Sequence, residues 1–285
     1  MTAVDTSAAR TALGAPLPAV KSPVLVTGGT GTLGRLVVQR LRALDCDVRV
    51  LSRHSRERAD GVEFVSGDLA TDDSIEAAVA GAEIIVHCAG SSSGDEDKTR
   101  RLVRALSPAQ VRHLVYISVV GADKVPVTSG LDRAMFGYFA SKRAAERVVA
   151  ESGLPWTTLR ATQFHDLMLM AIQQVTRLPV VPVPSGFRFQ PVDTSDVAGR
   201  LVQLALGAPA GLVPDIAGPR IYSFANLVRA YLRARGMRRL IVPVPLPGKA
   251  AQAVRKGAIL APDQAGAGRT WEEFLAARLQ AGVHT

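Results

Sequence analysis

The run Val24-Leu25-Val26-Thr27-Gly28-Gly29-Thr30-Gly31-Thr32-Leu33-Gly34 is an apolar strand that empties into a glycine-rich turn, and Leu36, Val37, Val38 and Leu41 follow at helical spacing. A strand, such a turn and a helix in that order open a βαβ unit, which restricts the fold more tightly than any other feature of the chain. Each glycine has its own task. Gly28 or Gly29 permits the tight turn, Gly31 lets the backbone approach a pyrophosphate, and Gly34 lets helix and strand pack closely. The run satisfies G-x-x-G-x-x-G over Gly28, Gly31 and Gly34, and G-x-G-x-x-G over Gly29, Gly31 and Gly34. The helix N-terminus adds unpaired N–H groups and a partial positive charge for phosphates. Gly28, Thr30, Gly31, Thr32, Leu33 and Gly34 are therefore expected to hold a dinucleotide.

The second strand, Val48-Arg49-Val50-Leu51, selects the cofactor. Sites for NAD usually carry a carboxylate at its end that accepts from the adenosine ribose. Here the chain reads Ser52-Arg53-His54-Ser55-Arg56. A carboxylate would repel a 2′-phosphate, whereas an arginine binds it through two charge-assisted hydrogen bonds. Arg53 is the main candidate with Ser52 as a small neutral partner; Arg35 and Arg56 are weaker ones. The missing acid and these arginines point to NADP(H).

A chain of 285 residues buries one substantial core. No apolar run is long enough to span a membrane. Residues 1–21, rich in Ala, Thr and Pro, lack the pattern of a secretory signal and read as a flexible leader. Two cysteines, Cys46 and Cys88, show no metal-ligand spacing and no disulfide framework. No metal is expected, and a cytoplasmic location is the default. The formal charge of +9 is spread through helical arginines without a helix-turn-helix, zinc finger or aromatic platform. A solvated basic surface that attracts an anionic cofactor accounts for it, so nucleic acid is not an expected partner; nor, for want of a spanning run, is a membrane.

Strand and helix signals then alternate as a parallel sheet requires. Val62 to Val65 is a third strand, ending at Gly67-Asp68-Leu69, where an acid and an apolar residue suit the adenine edge and Asp68 equally suits a turn. Thr71 or Asp72 caps a helix through Ala80. Glu83 to Gly90 is the fourth strand, with Ala89 and Gly90 small where backbone passes the cofactor. His113 to Ser118 is the fifth. His87 and His113, inside apolar strands, read as hydrogen-bonded structural histidines.

Tyr138-Phe139-Ala140-Ser141-Lys142 lies in a helix after the fifth strand, and its tyrosine and lysine, four apart, share one face. An ammonium beside a phenol makes it a better proton donor to a carbonyl receiving hydride.

With these residues assembled, the chain resembles the short-chain dehydrogenase/reductase superfamily, and within it the atypical NmrA-like NAD(P)-binding proteins. The resemblance rests on Thr27 to Gly34, Gly67-Asp68-Leu69, His87 to Gly90, Tyr138 to Lys142, Leu159 to Phe164, and Gln190 to Val197. It implies that Tyr138 is the acid/base and that Lys142 binds the nicotinamide ribose. It also implies that the loop after strand six, with Thr162 and Phe164, passes the nicotinamide. The catalytic hydroxyl is less well matched. Ser118 is present at the strand's end, whereas the extended branch places this group about two positions on, where the chain has Val120; Thr128 or Ser129 is a substitute.

Phe164 to Met170, Phe187 and Phe189 suit an adaptable apolar cavity. His165, polar and near the expected nicotinamide, is a candidate to join Tyr138 in contacting substrate, with a helix-capping or structural role as the alternative. Asp193 and Asp196 are expected to cap a helix, Trp271 and Phe274 to anchor the last one, and Pro243 to Gly248 to form a rigid connector. The expected fold is α/β, a Rossmann-type doubly wound parallel sheet with an elaborated C-terminal substrate-binding region. Residues 22–285 form one NAD(P)-binding domain, in which 161–190 and 215–285 shape the substrate region. The expected function is NADPH-dependent reduction of an apolar carbonyl or quinone-type small molecule by a monomer or homodimer. A non-catalytic NADP(H)-sensing regulator is the alternative, and an epimerase or isomerase with tightly held cofactor is a third reading.

Overall fold

The computed structural model describes residues 22–54, 61–71, 74–91, 94–106 and 110–282. The leader over 1–21, Arg56 and Asp72 lie outside them. In chain order the elements are β1 (Val24–Thr27), α1 (Thr32–Ala43), β2 (Val48–Ser52), β3 (Val62–Ser66), α2 (Ile75–Val79), β4 (Ile84–His87), α3 (Asp95–Ala105) and β5 (His113–Val119). There follow α4 (Gly130–Ala150), β6 (Trp156–Ala161), α5 (His165–Val175), β7 (Val180–Pro184), β8 (Arg188–Phe189) and α6 (Thr194–Leu206). The last part adds β9 (Gly211–Leu212), β10 (Tyr222–Ser223), α7 (Phe224–Ala234), β11 (Leu240–Val244), α8 (Lys249–Arg255) and α9 (Trp271–Gly282).

Contacts divide the chain into two compact units. The first comprises the described residues up to Ile117 together with Ala144–Thr158 and Ala198–Val213; the second comprises Ser118–Arg143, Leu159–Val197 and Pro214 onward.

In the first unit a seven-stranded sheet runs in the order β3-β2-β1-β4-β5-β6-β9, in which β1–β2, β1–β4, β2–β3, β4–β5 and β6–β9 pair in parallel. The order reverses beside β1, as the glycine turn after that strand leads one to expect. Every residue of β1 and β4 is buried, which is why these strands read as unbroken apolar runs. Leu25, Ile85, Leu114 and Tyr116 join Leu102 of α3 and Val149 of α4 in one core cluster. Across β1 and β4, the His87 imidazole lies 2.6 Å from Thr27 Oγ1 through Nδ1 and 3.1 Å from Thr99 Oγ1 through Nε2. The Thr99 hydroxyl spends its proton on Asp95 O, so Nε2 donates to Thr99. His87 is thus a structural histidine, and His113 likewise bonds Thr157 Oγ1 at 2.8 Å.

The fourth strand is shorter than its apolar run, because Cys88 to Gly90 leave the sheet. The helix expected from Thr71 or Asp72 begins later, behind Ser74 at φ 55°.

The second unit packs around Ile172, Val181, Val183, Leu227, Val228 and Trp271. Its strands form two ribbons, antiparallel β10–β8 and parallel β11–β7. The second ribbon corrects the connector reading, since Pro243 and Val244 lie within β11 opposite Val183 and Pro184. Prolines are tolerated there because a two-stranded ribbon has only edge strands.

Candidate functional site

Backbone geometry explains the glycine turn. Gly28 has φ +69°, a left-handed conformation, and a Cβ there would lie 2.6 Å from the Ala89 nitrogen. A Cβ at Gly34 would overlap the Gly28 carbonyl, so α1 reaches the turn only without a side chain. Gly31 caps α1 with no side-chain hydrogen bond, and the first turn holds no acid. By helix geometry the opening N–H groups of Thr32, Leu33 and Gly34 lack intrahelical acceptors. This is a cradle that a Cβ would fill, with unneutralised positive charge at its mouth, and it fits a dinucleotide's phosphates. Thr30, Gly31 and Thr32 are exposed, whereas the Leu33 side chain turns into the core.

The remaining first-unit residues divide by what their polar atoms already do. Arg53 is exposed at the end of β2. Ser52 is buried, and its hydroxyl donates to His54 O at 2.9 Å and accepts from His54 N at 3.3 Å, so it is committed to a local turn. Asp68 Oδ1 accepts from Ala70 N at 2.9 Å, the turn role, and the Leu69 side chain is packed in the core. Ala89 is half-buried and Gly90 exposed just past β4.

In the second unit a cavity of about 300 Å³ is lined by Tyr138, Ser118, Thr162, Gln163, Phe164, Met168 and several further apolar side chains, Phe187 and Phe189 among them. Its position follows from three local devices. Asp132 is buried in the first turn of α4, where its carboxylate accepts from Thr128 N, Ser129 N and Ala250 N, fixing the start of that helix. Gln163 donates to Ile259 O at 3.1 Å and accepts from Gln190 N at 3.2 Å, fixing the chain after β6. Buried Gln190 spends its amide on Gly218 O, Ala261 O and Ala261 N.

On α4, Tyr138 is about one-third exposed at 37 % and forms part of the cavity wall. Lys142, one turn on, is buried, with Nζ 5.9 Å from the centre of the tyrosine ring. The Ser118 and Thr162 hydroxyl oxygens are buried without a hydrogen-bond partner, and both residues line the cavity. A polar group left unpaired in an apolar pocket is costly, and an oxygen-bearing ligand would relieve it.

His165 departs from the expected substrate contact. Its ring has no exposed surface, is absent from the cavity lining, and stacks on Phe274 at 4.9 Å and beside Trp271 at 5.9 Å. Burial pushes its pKa down to about 4. Two rings from the end of the chain thus decide its placement, and nothing near His165 in sequence announces them. Val254 and Ile259, which also line the cavity, carried no signal either, being ordinary apolar residues distant in the chain. Asp193 holds its expected cap, accepting from Ser195 N at 2.8 Å, and it also pairs with Arg269.

A family model described as NAD(P)H-binding matches residues 28–206. The chain is 27 % identical over 258 residues to the chloroplastic protein high chlorophyll fluorescence phenotype 244 of Arabidopsis thaliana, covering 85 % of this chain and 63 % of that relative. It is 31 % identical over 201 residues to (4-alkanoyl-5-oxo-2,5-dihydrofuran-3-yl)methyl phosphate reductase of Streptomyces griseus, covering 69 % of this chain and 68 % of the other. Among solved structures, NADPH-dependent quinone oxidoreductase from Escherichia coli in complex with NADPH superposes with a TM-score of 0.73 at 17 % identity, covering 90 % of this chain and 99 % of that one. At that identity the likeness concerns the fold. The match over the glycine turn, strands β2 to β6 and α4 places the chain in the NAD(P)H-binding family, of the atypical short-chain dehydrogenase/reductase type that its motifs resemble.

Proposed function

We propose that the chain is an NADPH-dependent reductase of an apolar carbonyl or quinone-type small molecule. The observation that carries this reading is the cavity of the second unit, where Tyr138 stands in an apolar wall with the unpaired hydroxyls of Ser118 and Thr162. Tyr138 donates the proton to the substrate oxygen, and Lys142, buried beside it, binds ribose and orients the phenol electrostatically. Ser118 or Thr162 donates a hydrogen bond to the same oxygen, and the aromatic and methionine side chains hold a flat apolar body. A bound dinucleotide supplies the hydride. Arg53, with no carboxylate at the end of β2, favours the 2′-phosphate of NADPH. The reductase and quinone oxidoreductase names of two similar proteins support reduction as the reaction class.

The test is consumption of NADPH, with NADH alongside, against quinones and aromatic ketones. Turnover should favour NADPH and fall by about a hundredfold or more in Tyr138→Phe, the usual worth of a positioned acid. Turnover untouched by that variant would remove Tyr138 from the mechanism. Tight NADPH binding without consumption anywhere would favour a cofactor-sensing regulator.

A further inference from the structure

The arginines and lysines run along the whole chain, but their excess over carboxylates falls in one stretch. No carboxylate occurs between Asp215 and Asp263, and that stretch carries nine lysines and arginines, as many as the net charge of +9. Four of them, Arg229, Arg233, Arg238 and Arg239, line one open cleft of about 780 Å³ in the second unit. Glu272, also in the lining, accepts from the Tyr222 hydroxyl at 2.8 Å. Hydrogen bonds of the four guanidinium groups go to neutral oxygens: Arg229 to Asn226 Oδ1, and Arg239 to Thr176 O and Arg238 O. None of the four has an ion pair among the described residues.

Leu240 belongs both to this cleft and to the β7–β11 ribbon. The register places Leu240 opposite Val180 and Val242 opposite Pro182. These four and Val244 stand exposed, Leu240 at 64 %, while Val181 and Val183 turn into the core. One face of the ribbon is therefore wholly apolar, and at its Leu240 end it meets the arginine-lined cleft. Pro182, Pro184 and Pro243 lack N–H donors, which makes the ribbon a poor template for a strand from another chain. An apolar face that meets a cationic cleft matches an anionic bilayer, whose phosphates suit arginine forks and whose acyl boundary suits the ribbon.

We propose that this face docks the protein on an anionic phospholipid surface. Leu240, Val242 and Val180 enter the headgroup–acyl boundary, and the cleft arginines pair with headgroup phosphates. No helix of the described residues is long and apolar enough to cross a membrane, and the contact is peripheral. The expectation of no membrane partner rested on the missing spanning run, which does not bear on surface docking.

The full chain is sedimented with vesicles of phosphatidylcholine alone, and with vesicles of phosphatidylcholine and phosphatidylglycerol in equal parts, at low and high salt. Binding is expected on the anionic vesicles only, and weaker in salt. Arg238→Gln with Arg239→Gln should weaken it by about thirtyfold, and Leu240→Ser by about tenfold. An unchanged rise in melting temperature with NADPH verifies that each variant is folded. Equal binding to both vesicles, or binding to neither, overturns the proposal. Anionic binding indifferent to Leu240→Ser overturns it as well, leaving only charge adsorption. Self-association lost in Leu240→Ser, without vesicle binding, assigns the face to a second copy instead.

Discussion

Burial keeps the His165 ring neutral. Neither nitrogen has a hydrogen-bond partner, and loss of hydration outweighs the opposing pull of Asp193, Asp166 and Glu272, with Arg269 adding to the depression. The unfolded chain protonates this histidine near 6.5, whereas the folded chain resists until about 4. Between those values the unfolded state binds more protons, so stability falls as pH falls through the window, by on the order of 3 kcal/mol once both are passed. His165→Phe fits the stack of Trp271 and Phe274 and removes this loss. Its melting temperature should decline less than the wild type's between pH 6.5 and 4. Equal declines would mean that the imidazole is hydrated. At this scale the sequence was informative where a residue's role depends on neighbours in the chain. The glycines of the turn and the buried strand histidines were legible for that reason. His165 was legible only as a choice between substrate contact and a structural role, because the environment that decides it is assembled from α9.

At the scale of elements, α9 is tied down by Trp271, which has no exposed surface and whose indole N–H donates to Leu227 O of α7 at 3.1 Å. Trp271→Ala should cost about 3–5 kcal/mol by emptying this site, read from the urea midpoint. A loss below about 1 kcal/mol would show that α9 is not anchored there. Trp271→Phe should cost less, losing the hydrogen bond and part of the volume. The anchoring role was legible in Trp271 and Phe274, the only aromatic residues of that helix. The β7–β11 ribbon was not, because its prolines argue against a central strand, and only the fold shows that neither strand is central. The short β8 and β10 carry too few residues for any periodicity.

At the scale of the molecule, a ligand that binds only the folded chain stabilises it by mass action. NADPH at about one hundred times its dissociation constant should add about 2.7 kcal/mol, read as a rise in melting temperature. Gly34→Ala pushes a methyl into the Gly28 carbonyl and should abolish the rise while lowering intrinsic stability by about 1–3 kcal/mol. A normal rise in that variant would remove the turn from cofactor binding. The parallel sheet and its cofactor class were legible because one strand–turn–helix run announces both. The division into two units was hidden, since four of its five boundaries fall inside β5, α4, β6 and α6, where no linker marks them.

The most direct test of the account follows a single turnover of NADPH bound to the protein after mixing with each member of a panel of quinones and aromatic ketones. The account predicts loss of the reduced-nicotinamide absorbance with at least one of them, matched by reduced product, and slower by about a hundredfold or more in Tyr138→Phe. Absorbance that persists with every member, while the cofactor stays bound, would contradict it.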